Sequence, residues 1–337
     1  MKKASRKPPK PAQPEWLQWW PVAVLLLGVA GLAWAASRPA APVGPPAATP
    51  RTLGGVANCA RQPAFAAAAG FSPNAALTTS DDRRMGLVLM EALADGRLQQ
   101  YQHETWTLAG WLGGLVLTES GDVYVIPAPR VSLWDNPPEK STILYRVDGQ
   151  SGAMAAALTL PAAQPPAAAN PFGLLGLTYD CETHSLYVSS VAGSSRSAEV
   201  GRLFRVDLSG AAPKLAAQLD GVDAIGVGVF NGAQGKRLYF GSARTSEVRS
   251  VALDAAGNFT GAPRLEFSLA EHDPRGDDKA RRLSFDQSGG LQVEGLKFNF
   301  NLVATSEHRQ NRYRYRYDPA ADSWTFLDVT PVVKGGN

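Results

Sequence analysis

The chain has 337 residues, with 33 Lys and Arg against 30 Asp and Glu and a formal net charge of +3. A hydrophobic content of 45% beside only 19% charged residues excludes a disordered chain. Two cysteines in this length exclude a mini-protein stapled by disulfides.

The positive charge is local. Residues 1–15 form a basic tail with Lys2, Lys3, Arg6, Lys7 and Lys10. Arg38 and Arg51 follow, so that removing the seven bases and one acid of residues 1–51 leaves 26 bases against 29 acids. The body of the chain is therefore slightly acidic, which argues against a nucleic-acid groove lined with Lys and Arg.

Leu17–Ala36 runs for 20 residues without a charge. As a helix it would span about 30 Å, the thickness of the bilayer hydrocarbon. Trp16, Trp19, Trp20 and Trp34 mark its ends as interfacial belts do. Residues 16–36 are thus expected to be a transmembrane signal anchor in the lipid bilayer, with the basic tail held in the cytoplasm. A cleaved signal peptide is the competing reading, because Ala33-Trp34-Ala35 fits a small-x-small cleavage site. Either outcome exports the remainder. The Ala, Pro and Gly richness points to a bacterial inner membrane, crossed once, with the domain in the periplasm or outside the cell. Residues 37–55 read as a Pro/Ala-rich linker, in which Pro39, Pro42, Pro45, Pro46 and Pro50 block helix and ladder pairing.

Residues 56–333 read as one all-β domain built from repeats. Leu115–Val125 (LVLTESGDVYV) and Leu283–Val293 (LSFDQSGGLQV) are the same hairpin, a strand, a Ser-Gly turn and a second strand. Leu177–Val188 and Val227–Phe240 are two further copies. A third strand ending in Asp follows each hairpin: Leu144–Asp148, Leu203–Asp207, Val251–Asp254 and Tyr315–Asp318. Fourth strands are expected at Ala155–Leu160, Lys214–Leu219, Arg264–Leu269 and Trp324–Val329. Four antiparallel strands in each unit of about 55 residues define a β-propeller blade. Residues 56–110 hold room for a weaker unit, and a further blade would share the chain ends. Six blades are expected, with five the alternative.

The hairpin L-x-F-D-x-S-G-x-L-x-V at Leu283–Val293, with R-V-D strands after its sister copies, resembles the senescence marker protein, gluconolactonase and strictosidine-synthase-like six-bladed propellers. NHL-type propellers are similar. The resemblance covers about residues 110–330. It implies a divalent cation, Ca²⁺ or another, held on the channel axis by Glu, Asn and Asp at the starts of innermost strands, where it would polarise a lactone carbonyl and activate water. On this sequence the Asp falls at Asp220, before Gly221, with Asp223 close by, and the Asn falls near Asn170. The family's Asn-Gly is here Asn170-Pro171-Phe172-Gly173, and no Glu-Gly-Pro precedes the first inner strand. Glu294-Gly295 stands in a different place. One ligand of three fits comfortably.

No G-x-S-x-G, H-E-x-x-H, G-x-x-x-x-G-K-[ST] or C-x-x-C is present. Glu271–Arg282 reads as a charged loop, whose Asp273, Asp277 and Asp278 lack EF-hand spacing. In Arg309–Tyr317, period-two alternation puts Arg312, Arg314 and Arg316 on one strand face and three tyrosines on the other. The arginines are candidates for binding an anionic glycan or phosphate, or else are paired to acids. Cys59 and Cys181 are candidates for a disulfide in an oxidising compartment. The composite expectation is a membrane-anchored extracytoplasmic propeller that binds or scaffolds a protein, glycan or small molecule, with a metal-dependent lactonase or hydrolase as the alternative.

Overall fold

A computed structural model describes residues 52–79, 84–129, 133–165, 169–302 and 310–332. The expected membrane segment at 16–36 lies outside these residues. No helix among the described residues is long and apolar enough to cross a membrane.

The described chain opens with β1 (Gly54–Gly55) and a short helix α1 (Ala64–Ala68). Blade one has three strands, β2 (Ala76–Thr78), β3 (Val88–Ala92) and β4 (Leu98–Tyr101). Blade two is β5 (Leu112–Leu117), β6 (Val123–Pro127), β7 (Ile143–Val147) and β8 (Met154–Thr159). Blade three is β9 (Leu174–Asp180), β10 (Ser185–Ser190), β11 (Arg202–Asp207) and β12 (Lys214–Asp220). Blade four is β13 (Ala224–Gly232), β14 (Gly235–Ser242), β15 (Glu247–Leu253) and β16 (Phe259–Ser268). Blade five is β17 (Lys279–Phe285), β18 (Gly290–Leu296), β19 (Gln310–Asp318) and β20 (Ser323–Val332). All pairings within blades are antiparallel.

The repeated hairpin forms the first two strands of blades two to five. Its turn needs a left-handed residue, and Gly289 supplies it with φ 83° at no steric cost. Alternation then decides which side chains lie between blades. Tyr124, Tyr187 and Tyr239, at matching places on second strands, are 4%, 0% and 0% exposed. Each hydrophobic cluster joins successive blades. One joins α1 and blades one and two, and others join two with three, three with four, and four with five. Burying one such aromatic or aliphatic side chain stabilises the fold by about 1.5–3 kcal/mol, so the ring is held mainly by contacts between its sheets.

The expectation of six blades is corrected to five sheets among the described residues. The N-terminal strand does not complete a blade with the C-terminus. Instead β1 pairs with β13, Gly54 opposite Asn231 and Gly55 opposite Phe230, on the inner edge of blade four. Among the described residues, blade one also lacks the counterpart of a first strand. Its long connection lies between β2 and β3 and its short turn between β3 and β4, the pattern of second, third and fourth strands elsewhere.

Residues 54 and 55, placed in the linker on composition, thus belong to the propeller. Two glycines are required there, because a Cβ on Gly55 would stand 2.6 Å from Phe285 O. The chain continues as a strap across the hairpin-turn end of the ring. Gly55 N donates to Asp286 O, Cys181 N to Val56 O, Arg61 N to Thr118 O and Phe65 N to Gly149 O. Blades five, three and two are touched in turn. Cys59 and Cys181 are bonded to each other, S–S 2.08 Å, which fixes the strap to the first turn of blade three.

Candidate functional site

The end of the ring opposite the strap carries the long connections between second and third strands and the connections between blades. Asn170 lies just before β9 and Asp223 just before β13, so both stand at the starts of innermost strands. They meet at one loop, residues 191–201. Asn170 Nδ2 donates to Val191 O and Ser194 O, each at 2.8 Å, and its Oδ1 accepts from Phe172 N at 3.1 Å. Asp223 Oδ1 accepts from Ser194 Oγ and from Gly201 N. Asp223 Oδ2 accepts from Arg244 Nε at 2.7 Å.

Arg244 then holds the tip of the same loop through the carbonyls of Ser195, Arg196 and Ala198. Glu199 Oε1 accepts from Asp223 N at 3.1 Å. The Asp223 side chain is fully buried, and that burial pushes its carboxyl above its ordinary value. Ser194, Gly201 and Arg244 pull it the other way. Residues 196–199, by contrast, are exposed. The arrangement is a solvent-facing loop clamped from beneath.

Asp220 is not part of this cluster. It ends the outermost strand of blade three, is largely exposed, and accepts from Arg202 Nε at 2.6 Å. The donor set at Asn170 and Asp223 does not fit a divalent cation: a guanidinium already stands at the carboxylate, and the amide oxygen is engaged by a backbone N–H.

Asp273, Asp277 and Asp278 do come together, each offering an oxygen within 4.8 Å of the others. Internal partners engage them. Asp278 is buried and accepts from Arg275, from Asn311 Nδ2 at 2.7 Å and from Tyr313 Oη at 2.8 Å. Asp277 pairs with Lys297 at 3.2 Å. Burial, with the Asp278 carboxylate beside it, pushes the Tyr313 hydroxyl far above its ordinary value. The loop reading of Glu271–Arg282 is also corrected at its end, since Lys279–Arg282 are the first residues of β17.

The strand of alternating Arg and Tyr is β19. Tyr313, Tyr315 and Tyr317 are 0%, 2% and 4% exposed and pack toward blade four. Arg314 and Arg316 are exposed. Arg314 is bidentate to Asp328, with Nε 2.9 and 3.0 Å from its two oxygens. Arg316 Nη1 donates to Ser288 O. Arg312 Nε is buried with no hydrogen-bond partner. The three arginines lie on a different sheet from Asn170 and Asp223.

Three features stand outside the candidate sites that the sequence offered. His184 takes a left-handed conformation, φ 47°, in the first turn of blade three and lies 3.3 Å from Glu119 beside a cleft of about 240 Å³ between blades two and three. Arg244 gave no signal, because its partners lie 21 to 49 residues earlier in the chain. Arg281 was read as loop charge, yet its guanidinium reaches the innermost strands of blades three and four.

No family model matches the sequence, and no curated protein matches it. Solved structures show partial likeness. A candidate 6-phosphogluconolactonase from Bacteroides uniformis superimposes with a TM-score of 0.46 at 12% identity, covering 77% of this chain and 68% of that one. One from Bacteroides fragilis gives 0.40 at 13%, covering 77% and 70%. A hypothetical selenium-binding protein from Sulfolobus tokodaii gives 0.42 at 9%, covering 77% and 65%. Likenesses of this size carry no argument about activity. The resemblance read from the hairpin motif therefore stands at the level of the propeller fold.

Proposed function

We propose that this chain is a binding module, a propeller that presents a fixed loop, residues 195–200, to a partner. The observation that carries the reading is the clamp under that loop. Asp223 and Arg244 hold Ser194, Ser195, Arg196, Ala198 and Gly201, while residues 196–199 remain exposed. A loop held in one conformation before binding loses less entropy on association, and recognition residues commonly sit on loops positioned by a rigid scaffold. Arg196 offers a positive charge on this loop to a protein or glycan surface. Export across a bacterial inner membrane on the 16–36 anchor is part of the proposal and accords with the Cys59–Cys181 bond.

The test compares the purified chain with an Arg196→Ala/Ser197→Ala variant as bait for extracytoplasmic proteins and glycans. The expected result is a partner retained by the wild type and lost by a variant of unchanged melting temperature. A stoichiometric divalent ion together with lactone hydrolysis abolished by Asp223→Ala would overturn the reading in favour of a hydrolase.

A further inference from the structure

Arg281 lies in β17 at a bulge between Ala280 and Arg282, which takes it out of the strand's alternation. Its Nη1 donates to Leu175 O at 2.7 Å and to Ile225 O at 3.1 Å, carbonyls on β9 and β13. Its Nη2 faces blade two, 3.3 Å from where a Cβ on Gly113 would stand. The innermost strands of blades two to five thus converge on one side chain, which places the guanidinium on the ring axis.

Only part of that guanidinium is used. Among the described residues, Nε and Nη2 have no hydrogen-bond partner and no carboxylate pairs with the side chain. The surroundings are apolar. Leu175 and Ile225 belong to a cluster with Phe172, Val191, Phe298 and Phe300. Desolvation lowers the Arg281 guanidinium to about 10, with Arg282 adding repulsion and Glu294 the one acid acting the other way. Arg281 as a whole is half-buried, so its free edge is open to solvent, and an anion arriving there gains from the apolar side chains around it.

We propose that Arg281 is an oxyanion site, which holds the carboxylate or phosphate group of a small-molecule ligand through its free Nε–Nη2 edge. That edge presents two parallel N–H groups, the fork that matches two oxygens of one carboxylate or phosphate. The Nη1 bonds to two carbonyls fix the fork's direction before any ligand arrives. Gly113 lies beside Nη2, and Thr79 Oγ1 holds Gly113 O at 2.6 Å, so the backbone at that edge is fixed. The site names a ligand chemistry for the binding-module reading and rests on that reading. It is tested apart from the 195–200 loop, so that the two ideas fail separately.

The experiment follows the Arg Nε–H resonances of the ¹⁵N-labelled full chain while inorganic phosphate, and separately acetate, is added. The Arg281 signal is identified by its loss in Arg281→Lys. The expected result is a saturable shift of that signal with one or both anions. At least a tenfold loss of affinity is expected in Gly113→Ala, which crowds the free edge and leaves the Nη1 bonds in place. The same loss is expected in Arg281→Lys by calorimetry, since the charge stays and the fork is gone. Saturation by phosphate alone assigns a phosphorylated ligand, and by acetate alone a carboxylate. No saturable shift with either anion, or unchanged affinity in Gly113→Ala, overturns the proposal and identifies Arg281 as a brace between inner strands.

Discussion

Lys236 and Asp180 form a buried ion pair between blades four and three, Nζ to Oδ1 3.0 Å and to Oδ2 2.8 Å, with side chains 1% and 0% exposed. Glu182 adds a second carboxylate at 2.7 Å and also accepts from Asn231, whose amide reaches Thr52 O. The ammonium thereby joins the first hairpin of blade four to the first turn of blade three, and the Asn231 amide extends the network to the strap.

Removing that ammonium should be costly. Lys236→Met leaves Asp180 buried without its cation, and breaking such a pair costs about 3–5 kcal/mol. Urea unfolding is expected to show that loss, with partial recovery in Lys236→Met/Asp180→Asn, where no net charge is left buried at these two positions.

Packing between blades four and five leaves no room for a methyl group at Gly241. A Cβ there would stand 2.0 Å from Ala280 O. Gly241→Ala should therefore lower stability by about 3 kcal/mol, the upper range for overpacking. Gly210→Ala, whose Cβ would meet only Ala212 O at 3.8 Å, is the control and should unfold at nearly the wild-type urea concentration.

The Cys59–Cys181 bond closes a loop with a sequence separation of 122. Chain-entropy arguments assign about 4–5 kcal/mol to a loop of that length. Cys59→Ser/Cys181→Ser should lose a comparable amount in chemical denaturation, and wild-type protein treated with dithiothreitol should behave like the variant. Mass spectrometry without reductant should find no free thiol in the untreated chain.

Acid should unfold the ring through its turns. Asp148, Asp207 and Asp286 each hold a turn, and their carboxyls lie below the ordinary value. The largest causes are backbone N–H bonds from Ser151, Ser209 and Gly290 respectively. Folded-state values below the unfolded value near 4 mean that the stabilisation is present above about pH 4 and is lost as pH falls through the folded values. The urea midpoint should fall between pH 5 and pH 3, and Asp148→Asn/Asp286→Asn should flatten that slope. A slope unchanged in the double variant would remove these turns from the account.

The sequence made four of the five sheets legible because each carries the repeated hairpin, at Leu115–Val125, Leu177–Val188, Val227–Phe240 and Leu283–Val293. Blade one was faint for a physical reason: among the described residues it has no first strand and so no such hairpin. Its best-formed turn lies between β3 and β4, where Leu93 N donates to Arg97 O. The Tyr/Arg alternation of β19 was legible because a strand has period two. The clamp was not legible, because Asp223 and Arg244 reach a loop set beside them only by the stacking of blades. Arg281 was hidden by its bulge, which removes the periodicity that would have assigned it a face.

The strap has a mechanical side. A load applied to the chain ahead of Thr52 meets first the two-residue β1 and then the covalent link at Cys59. Peeling can free only residues 52–58, roughly 25 Å of extended chain, before tension passes into the body of blade three. The bond acts as a stop, so the ring can hang from its N-terminus without unravelling from that end.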